Sequence, residues 1–360
     1  MRVLTILGTR PEIIHLSLII PKLDRWTEHT LLHTGQNYVP ELDSIFFETM
    51  NIRRPDAYVD SRSQTVFGQI TKIFEAAESW IDRVKPDACL ILGDTNSGLS
   101  AIVAEKMGVP VFHMEAGNRC FDLKVPEERN RKLIDHVSSW LLPYVEGSRA
   151  NLLKEGISGE QILVTGNPIF EVLRHYAPQI QASGALKRLG VKEREFFLVT
   201  AHRAENVDVP ERLSGIVLAL NRLAETYRFP VVWSVHPRTR SQLDKLALQV
   251  HSLVKLCTPF DLFDFVKLEQ TAFCVLTDSG TVQEECCIFH VPAVTLRDTT
   301  ERPETITCGS NLLTGCDPDT IVRGVDVATQ AKFDWEVPSG YVTPDVSDKV
   351  VRLILGHTNR

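Results

Sequence analysis

Apolar runs of strand length alternate with helical stretches along almost the whole chain, and this alternation admits few folds. "RVLTILG", "EHTLLHTG", "ACLILGD", "VPVFHMEAG" and "WLLPY" punctuate the first half, separated by stretches such as "EIIHLSLIIPKLDRW" and "SGLSAIVAEKMG". Largely apolar strands joined by helices pair in parallel, with helices covering both faces of the sheet. The pattern restarts after "ILVTGNPIF" with "FFLVTAH", "PVVWSVHP", "LVKLC", "FCVLTD" and "PAVTL". The sequence therefore predicts an α/β protein with two doubly wound sheets. Its domains are expected over 1–168 and 169–345, with a short amphipathic helix over 346–360 packing back on them. At 360 residues the chain exceeds one ordinary core, and two domains imply a cleft.

Composition removes several function classes. Hydrophobic residues make up 43%, as in a globular protein, and the formal charge of −7 is spread along the chain, so nucleic acid is not expected as a partner. The longest apolar runs fall far short of the roughly 20 residues that span a bilayer, so no membrane partner is expected either. The start "MRVLTILGTRPE" passes from strand to polar turn without a cleavage signature, which predicts a cytoplasmic protein. Eight cysteines with no Cys-x-x-Cys pair read as reduced core residues and not as metal ligands or disulfides.

Open parallel sheets bind ligands beyond the carboxyl ends of their strands, so the residues just after each strand are the informative ones. The first half supplies Gly8-Thr9-Arg10, His33-Thr34-Gly35-Gln36, Gly93-Asp94-Thr95, Glu115 and the run Pro126-Glu127-Glu128-Arg129-Asn130-Arg131. The second supplies His202-Arg203, His236, Asp278-Ser279-Gly280 and "RDTTERPE", Arg297 to Glu304. Carboxylates for proton transfer gather in one half and donors for an anion in the other. Thr281 with Glu284 fits a capping box, so a helix is expected to start at or just before Thr281 and to present its first N–H groups to an anion. Each residue also has a plain reading. Asp94 reads equally as a helix N-cap, Glu115 as half of an ion pair with Arg119 or Arg131, and His202 and His236 as core histidines. The acids and arginines of "RDTTERPE" read also as the cap of a helix whose first turn holds Pro303.

Taken together, "GTRPE", "GDT", "HMEAG" followed by "PEERNR", "AHR", "TDSG..QEE" and "RDTTERPE" resemble the non-hydrolysing UDP-N-acetylglucosamine 2-epimerase family over most of the chain. The resemblance implies two Rossmann-like domains of the glycosyltransferase-B type around a cleft, a UDP-sugar substrate, usually a homodimer, and neither a metal nor a nicotinamide cofactor. It implies inversion at C2 by anti elimination of UDP and re-addition to the glycal. Asp94, Glu115 and Glu127 match the family's acid/base carboxylates and are assigned jointly. Arg10 and His202 match positions facing the diphosphate, with His202 counted among the catalytic residues. Ser279 and Gly280 match the helix N-terminus that holds phosphate, and Glu285 a contact to the ribose hydroxyls. The expected binding set also includes His15, Arg131, His236, Thr281 and Arg302.

Departures from the pattern carry information too. A lysine is usual where this chain has His15, and Gly280-Thr281 replaces the usual pair of glycines. "HTGQNYVPEL" stands where many members carry the "QHR" segment that holds an activating second UDP-N-acetylglucosamine, with Tyr38 and Pro40 in place of polar contacts. Hyperbolic kinetics without such activation are therefore expected. With "RPEIIHLS", "GDTNS" and "EAGNRCFD", that segment resembles the branch acting on UDP-2-acetamido-2,6-dideoxy-L-hexoses, of the UDP-N-acetyl-L-fucosamine type. A glycosyltransferase of the same architecture and a non-catalytic nucleotide-sugar sensor are the alternative readings.

Overall fold

The structure, a computed structural model, describes residues 1–36, 46–330 and 334–357. Tyr38 and Pro40, on which the expectation about a second UDP-sugar rests, lie outside the described residues. The chain divides into two compact units: Met1–Arg174 with Ser339–Arg360, and His175–Pro338.

The first unit contains β1 (Arg2–Leu7), β2 (Glu28–His33), β3 (Ala57–Tyr58), β4 (Ala88–Leu92), β5 (Val111–Met114) and β6 (Trp140–Leu142). The second contains β7 (Phe197–Thr200), β8 (Val231–Ser234), β9 (Val254–Cys257), β10 (Cys274–Thr277), β11 (Ala293–Thr295) and β12 (Asn311–Leu313). The sheets run β3-β2-β1-β4-β5-β6 and β12-β11-β10-β7-β8-β9, and every pair is parallel. Each unit thus winds outward in both directions from its first strand. The winding reverses between β1 and β4 in one unit and between β7 and β10 in the other, which confirms two doubly wound, Rossmann-like sheets.

Alternation of side chains across the pleat explains why these strands need helices on both sides. In the second sheet Phe197, Val199, Val231, Trp233 and Leu276 pack with Ile216, Leu220 and Leu223 of helix Pro210–Tyr227. Leu198, Val232 and Val275 point the other way, onto Leu268 and Cys286. In the first sheet Leu4, Ile6, Cys89, Ile91 and Val111 meet Ala77 and Ile81 of helix Val66–Val84 and Ala101 and Ala104 of helix Ser100–Lys106.

The chain passes between units at Arg174–His175 and again at Pro338–Ser339, whereas the sequence suggested 168 and 345. Hydrogen bonding accounts for the difference. Asn167 N donates to Gly340 O at 2.8 Å, and the Glu171 carboxylate, on helix Ile169–His175, accepts from Ser347 N at 2.8 Å. Both segments are thereby fastened to the first unit. The final helix, Val346–His357, packs on helix Ile20–Trp26, with Lys22 Nζ 2.6 Å from Asp348. Among the described residues no helix is long and apolar enough to cross a membrane.

Candidate active site

In the first unit, β1 ends at Leu7 and Pro11 stands in the first turn of helix Arg10–Leu16. Glu12 closes that turn. Its carboxylate accepts from Gly8 N and Thr9 N, and from Thr95 Oγ1 at 2.8 Å across the switch point. Burial outweighs those hydrogen bonds and pushes its carboxyl up to about 7. A Cβ on Gly8 would stand 2.1 Å from Thr34 Oγ1 and 2.2 Å from Ser97 Oγ, so only glycine allows the turn to pass here. Arg10 follows, half-buried, with its guanidinium over the Phe46 ring at 5.8 Å. His15, one helical turn further on, is 1% exposed, and its Nδ1 lies 3.3 Å from Tyr144 Oη.

Asp94 stands after β4 and pairs with Arg131, Nη2 to Oδ2 at 2.5 Å; Asn130 Nδ2 donates to the Asp94 carbonyl at 2.9 Å. Its reading as a helix N-cap does not hold, because Thr95 takes that position before the turn Asn96–Leu99. Glu115, after β5, has φ +68°, a left-handed backbone that costs a residue with a side chain about 1–2 kcal/mol. The turn aims its half-buried carboxylate over Gly93, where a Cβ would lie 3.8 Å from Oε2, beside Asp94. Arg119 does not serve as its partner. It is buried and bound to Asp135 at 2.8 Å and Glu155 at 2.7 Å.

Helix Pro126–Val137 supplies the rest. Glu127, in its first turn, is half-buried and has no hydrogen bond or ion pair among the described residues. Glu128 beside it is fully buried and accepts from Cys120 N at 3.0 Å, Phe121 N at 3.1 Å and Arg131 Nη1 at 2.9 Å. Those donors outweigh burial and hold it below the usual carboxylate range. Two adjacent glutamates thus differ: Glu128 fixes the loop, and Glu127 takes no part in that fixing.

Beneath these carboxylates lies a buried chain that the sequence reading did not single out. His113 Nδ1 is 2.8 Å from Asp135 Oδ1 and its Nε2 is 2.9 Å from Gly93 O, while Asp135 Oδ2 accepts from Gly117 N at 3.1 Å. One histidine and one aspartate therefore position both the turn bearing Asp94 and the turn bearing Glu115. The signal was the mixture of His113 within an apolar strand and Asp135 on the apolar face of a helix.

In the second unit Asp278 occupies the switch point. It is fully buried and its Oδ2 accepts from His202 N and Arg203 N at 2.9 Å and from Asn206 Nδ2 at 3.1 Å. The carboxylate ties the end of β10 to the turn after β7. His202 keeps its ring outward, 44% exposed, with Nδ1 3.4 Å from Asp278 Oδ1 and its centroid 6.2 Å from that of His236. His236 caps helix Pro237–Lys245, Nδ1 accepting from Arg238 N at 3.2 Å.

Helix Gly280–Phe289 has Ser279 as its N-cap, without a side-chain cap bond, and Ser279 Oγ lies 3.1 Å from Thr281 Oγ1. The capping box expected of Thr281 and Glu284 does not form. Glu284 is fully buried and bound instead to Arg302 Nε, an attraction far stronger in the interior than a reach back to an exposed N–H. Arg302 is 3% exposed, and Arg297 Nη1 pairs with Glu301 at 2.8 Å, so "RDTTERPE" is a buried ionic lattice as well as a loop. Gly280 is needed because a Cβ would stand 2.8 Å from Glu301 Oε1. Glu285 is 5% exposed; burial pushes its carboxyl up to about 7, beside the Glu269 carboxyl, which desolvation also raises.

The first unit thus brings Asp94, Glu115, Glu127, Arg131 and Arg10 to the carboxyl ends of its strands, with His15 buried. The second brings His202, His236, Ser279, Gly280 and Thr281 to the same place in its winding, with Glu285 and Arg302 buried around them.

The chain matches the family model described as UDP-N-acetylglucosamine 2-epimerase over residues 22–355. It is 39% identical over 363 residues to the protein of that name from Methanocaldococcus jannaschii, covering 98% of this chain and 99% of the other. It is 38% identical over 328 residues to the UDP-2,3-diacetamido-2,3-dideoxy-D-glucuronate 2-epimerase of Pseudomonas aeruginosa, covering 90% and 91%. The crystal structure of the Methanocaldococcus jannaschii UDP-GlcNAc 2-epimerase in complex with UDP-GlcNAc and UDP superposes with a TM-score of 0.93 at 38% identity, covering 99% of each chain.

Proposed function

The chain belongs to the UDP-N-acetylglucosamine 2-epimerase family, and from that premise we propose that it inverts C2 of a UDP-2-acetamido sugar by anti elimination of UDP and re-addition. The relatives' names carry the substrate class. UDP-N-acetylglucosamine and UDP-2,3-diacetamido-2,3-dideoxy-D-glucuronate differ at C3 and C6 and share the UDP and the 2-acetamido group. What they share is the chemistry at C1 and C2.

The observation that carries the mechanism is the placing of Asp94, Glu115 and Glu127 on three neighbouring elements of the first unit, over one buried support. Elimination needs a base at the weakly acidic C2 hydrogen, and inversion needs a proton delivered to the opposite face. A set of carboxylates from separate elements meets both needs. Departure of UDP leaves charge on its diphosphate, which the second unit would stabilise with the N-terminus of helix Gly280–Phe289, Ser279 and His202. Glu285 is assigned to the ribose, with Arg10, Arg131, His15, His236, Thr281 and Arg302 lining the sites. We assign the product to the synthesis of surface polysaccharide precursors and place the enzyme in the cytoplasm as a homodimer, on the strength of its nucleotide-sugar substrate class and family.

Purified protein incubated with UDP-N-acetylglucosamine, or with a UDP-2-acetamido-2,6-dideoxyhexose, in deuterated water tests the reading. Deuterium at C2 of recovered substrate and product, without any acceptor, is the expected result. UDP release only when an acceptor is added would identify a glycosyltransferase, and tight binding with neither outcome a sensor.

A further inference from the structure

Two sulfur atoms outside the proposed chemistry stand against each other in the second unit. Cys287, near the end of helix Gly280–Phe289, is fully buried, and its Sγ lies 3.7 Å from Sγ of Cys308, the half-buried residue that ends helix Pro303–Thr307. Cys308 Sγ also lies 3.4 Å from Ser310 Oγ. Disulfide formation requires an approach of roughly 1.7 Å, to a bond near 2.0 Å. The neighbouring Gly309 has φ +89° and open space where a Cβ would be.

We propose that Cys287 and Cys308 form a hydroperoxide-responsive dithiol, with Cys308 the nucleophile and Cys287 the resolving thiol. The Cys308 thiolate attacks one peroxide oxygen, the O–O bond breaks, and one water leaves with Cys308 as a sulfenic acid. The Cys287 sulfur then displaces the second oxygen as water and the S–S bond forms. Two thiols lose two electrons and two protons, and hydrogen peroxide takes them up as two waters. The surroundings favour that division of roles. Contact with Cys287 and Ser310 pulls the Cys308 thiol down, while the other seven thiols are all pushed up. Cys308 is also reachable from solvent, and Cys287 is not. The disulfide would bind the nucleotide-site helix covalently to the segment that bears Arg302, joining elements that the Arg302–Glu284 pair already connects.

The test treats the full-length protein with a few equivalents of hydrogen peroxide, alkylates remaining thiols, digests, and maps linked peptides by mass spectrometry. A Cys287–Cys308 link that dithiothreitol reverses, with two free thiols lost per chain, is expected. Cys308→Ser should abolish it. In Cys287→Ser the Cys308 sulfenic acid should accumulate and be captured by dimedone. Fragment ions between Cys286 and Cys287 identify the partner in the wild-type protein should that variant fold poorly. Oxidation of Cys308 to sulfinic acid without a link, a link to Cys286, or a Cys308 that stays reduced would each overturn the proposal.

Discussion

After β4 of the first unit stands a carboxylate 20% exposed and held by one arginine; after β10 of the second, at the same point of the winding, stands one sealed from solvent. Asp94 is backed by Arg131 through its Oδ2. Asp278 turns inward, and its Oδ2 receives three nitrogen donors. The strand order is shared, so the winding determines where a residue stands and leaves open what it does. Half-exposed acids around a strained turn suit proton transfer. A buried acid whose Oδ2 gathers three donors suits a scaffold that fixes the turn bearing His202 and Arg203.

The largest effect is expected at Asp278. Asp278→Ala removes the acceptor of three N–H groups and should destabilise the second unit by about 3 kcal/mol, measured by chemical denaturation. A loss under about 1 kcal/mol would mean the carboxylate is not the scaffold described. Next in size comes the opposite behaviour in the first unit. Glu127→Gln and Glu115→Gln should each lower turnover by about 10²-fold, or about 2.7 kcal/mol in the barrier, with UDP binding retained. Glu127→Gln should leave the unfolding free energy unchanged, since no partner is lost. Wild-type turnover in both variants would remove the assignment.

A smaller effect separates buried acids by pH. Glu12 is raised from 4.5 to about 7, and an acid raised in the folded state contributes stability that is full below its unfolded value and lost as pH rises through its folded one. Stability of the first unit should therefore fall by about 2.6 kcal/mol between pH 4.5 and 7, and Glu12→Gln should flatten that slope. An identical slope in the variant would show the carboxyl titrates normally. Smallest is the surface tie of the last helix: Lys22→Met should cost the first unit about 0.5 kcal/mol and the second nothing, by the same denaturation curves.

Much of this was legible because it is periodic. Ten of the strands announce themselves as apolar runs, and their alternation dictates parallel winding. The two that escaped, β3 with Ala57–Tyr58 and β12 with Asn311–Leu313, are edge strands too short to show a period. "ILVTG" lies along β6 with one bridge, Leu141 with Ile162, and with Leu163 N donating to Leu141 O at 2.8 Å and Thr165 N to Pro143 O at 3.0 Å. At the candidate site, Asp94 and Glu115 were expected just after strands and stand after β4 and β5, while Glu127 lies in the first turn of helix Pro126–Val137. Partners were a different matter. Glu284 follows Thr281 at capping distance but bonds Arg302, eighteen residues away, and Arg119 turns from Glu115 to Asp135 and Glu155. Local spacing describes a helix end in isolation, whereas these pairings were decided by which long-range charge reached the interior. Glu12 was visible in "GTRPE" as the fourth residue of a capping box, and Glu128 as the residue three before Arg131, once one looks for supports as well as for reacting groups.

The division of the chain also bears on how the protein is made. The second unit is one unbroken stretch, His175–Pro338, whereas the first needs Ser339–Arg360 to meet Met1–Arg174. Synthesis from the amino end delivers the whole second unit before the residues that seal the first, and domains generally fold as they emerge. On the ribosome the first unit therefore waits without the Glu171–Ser347 and Asn167–Gly340 hydrogen bonds until Ser347 and Gly340 arrive. A nascent chain stalled before Ser339 would present a finished second unit and an unsealed first one, so truncation before Ser339 would be felt in the first unit.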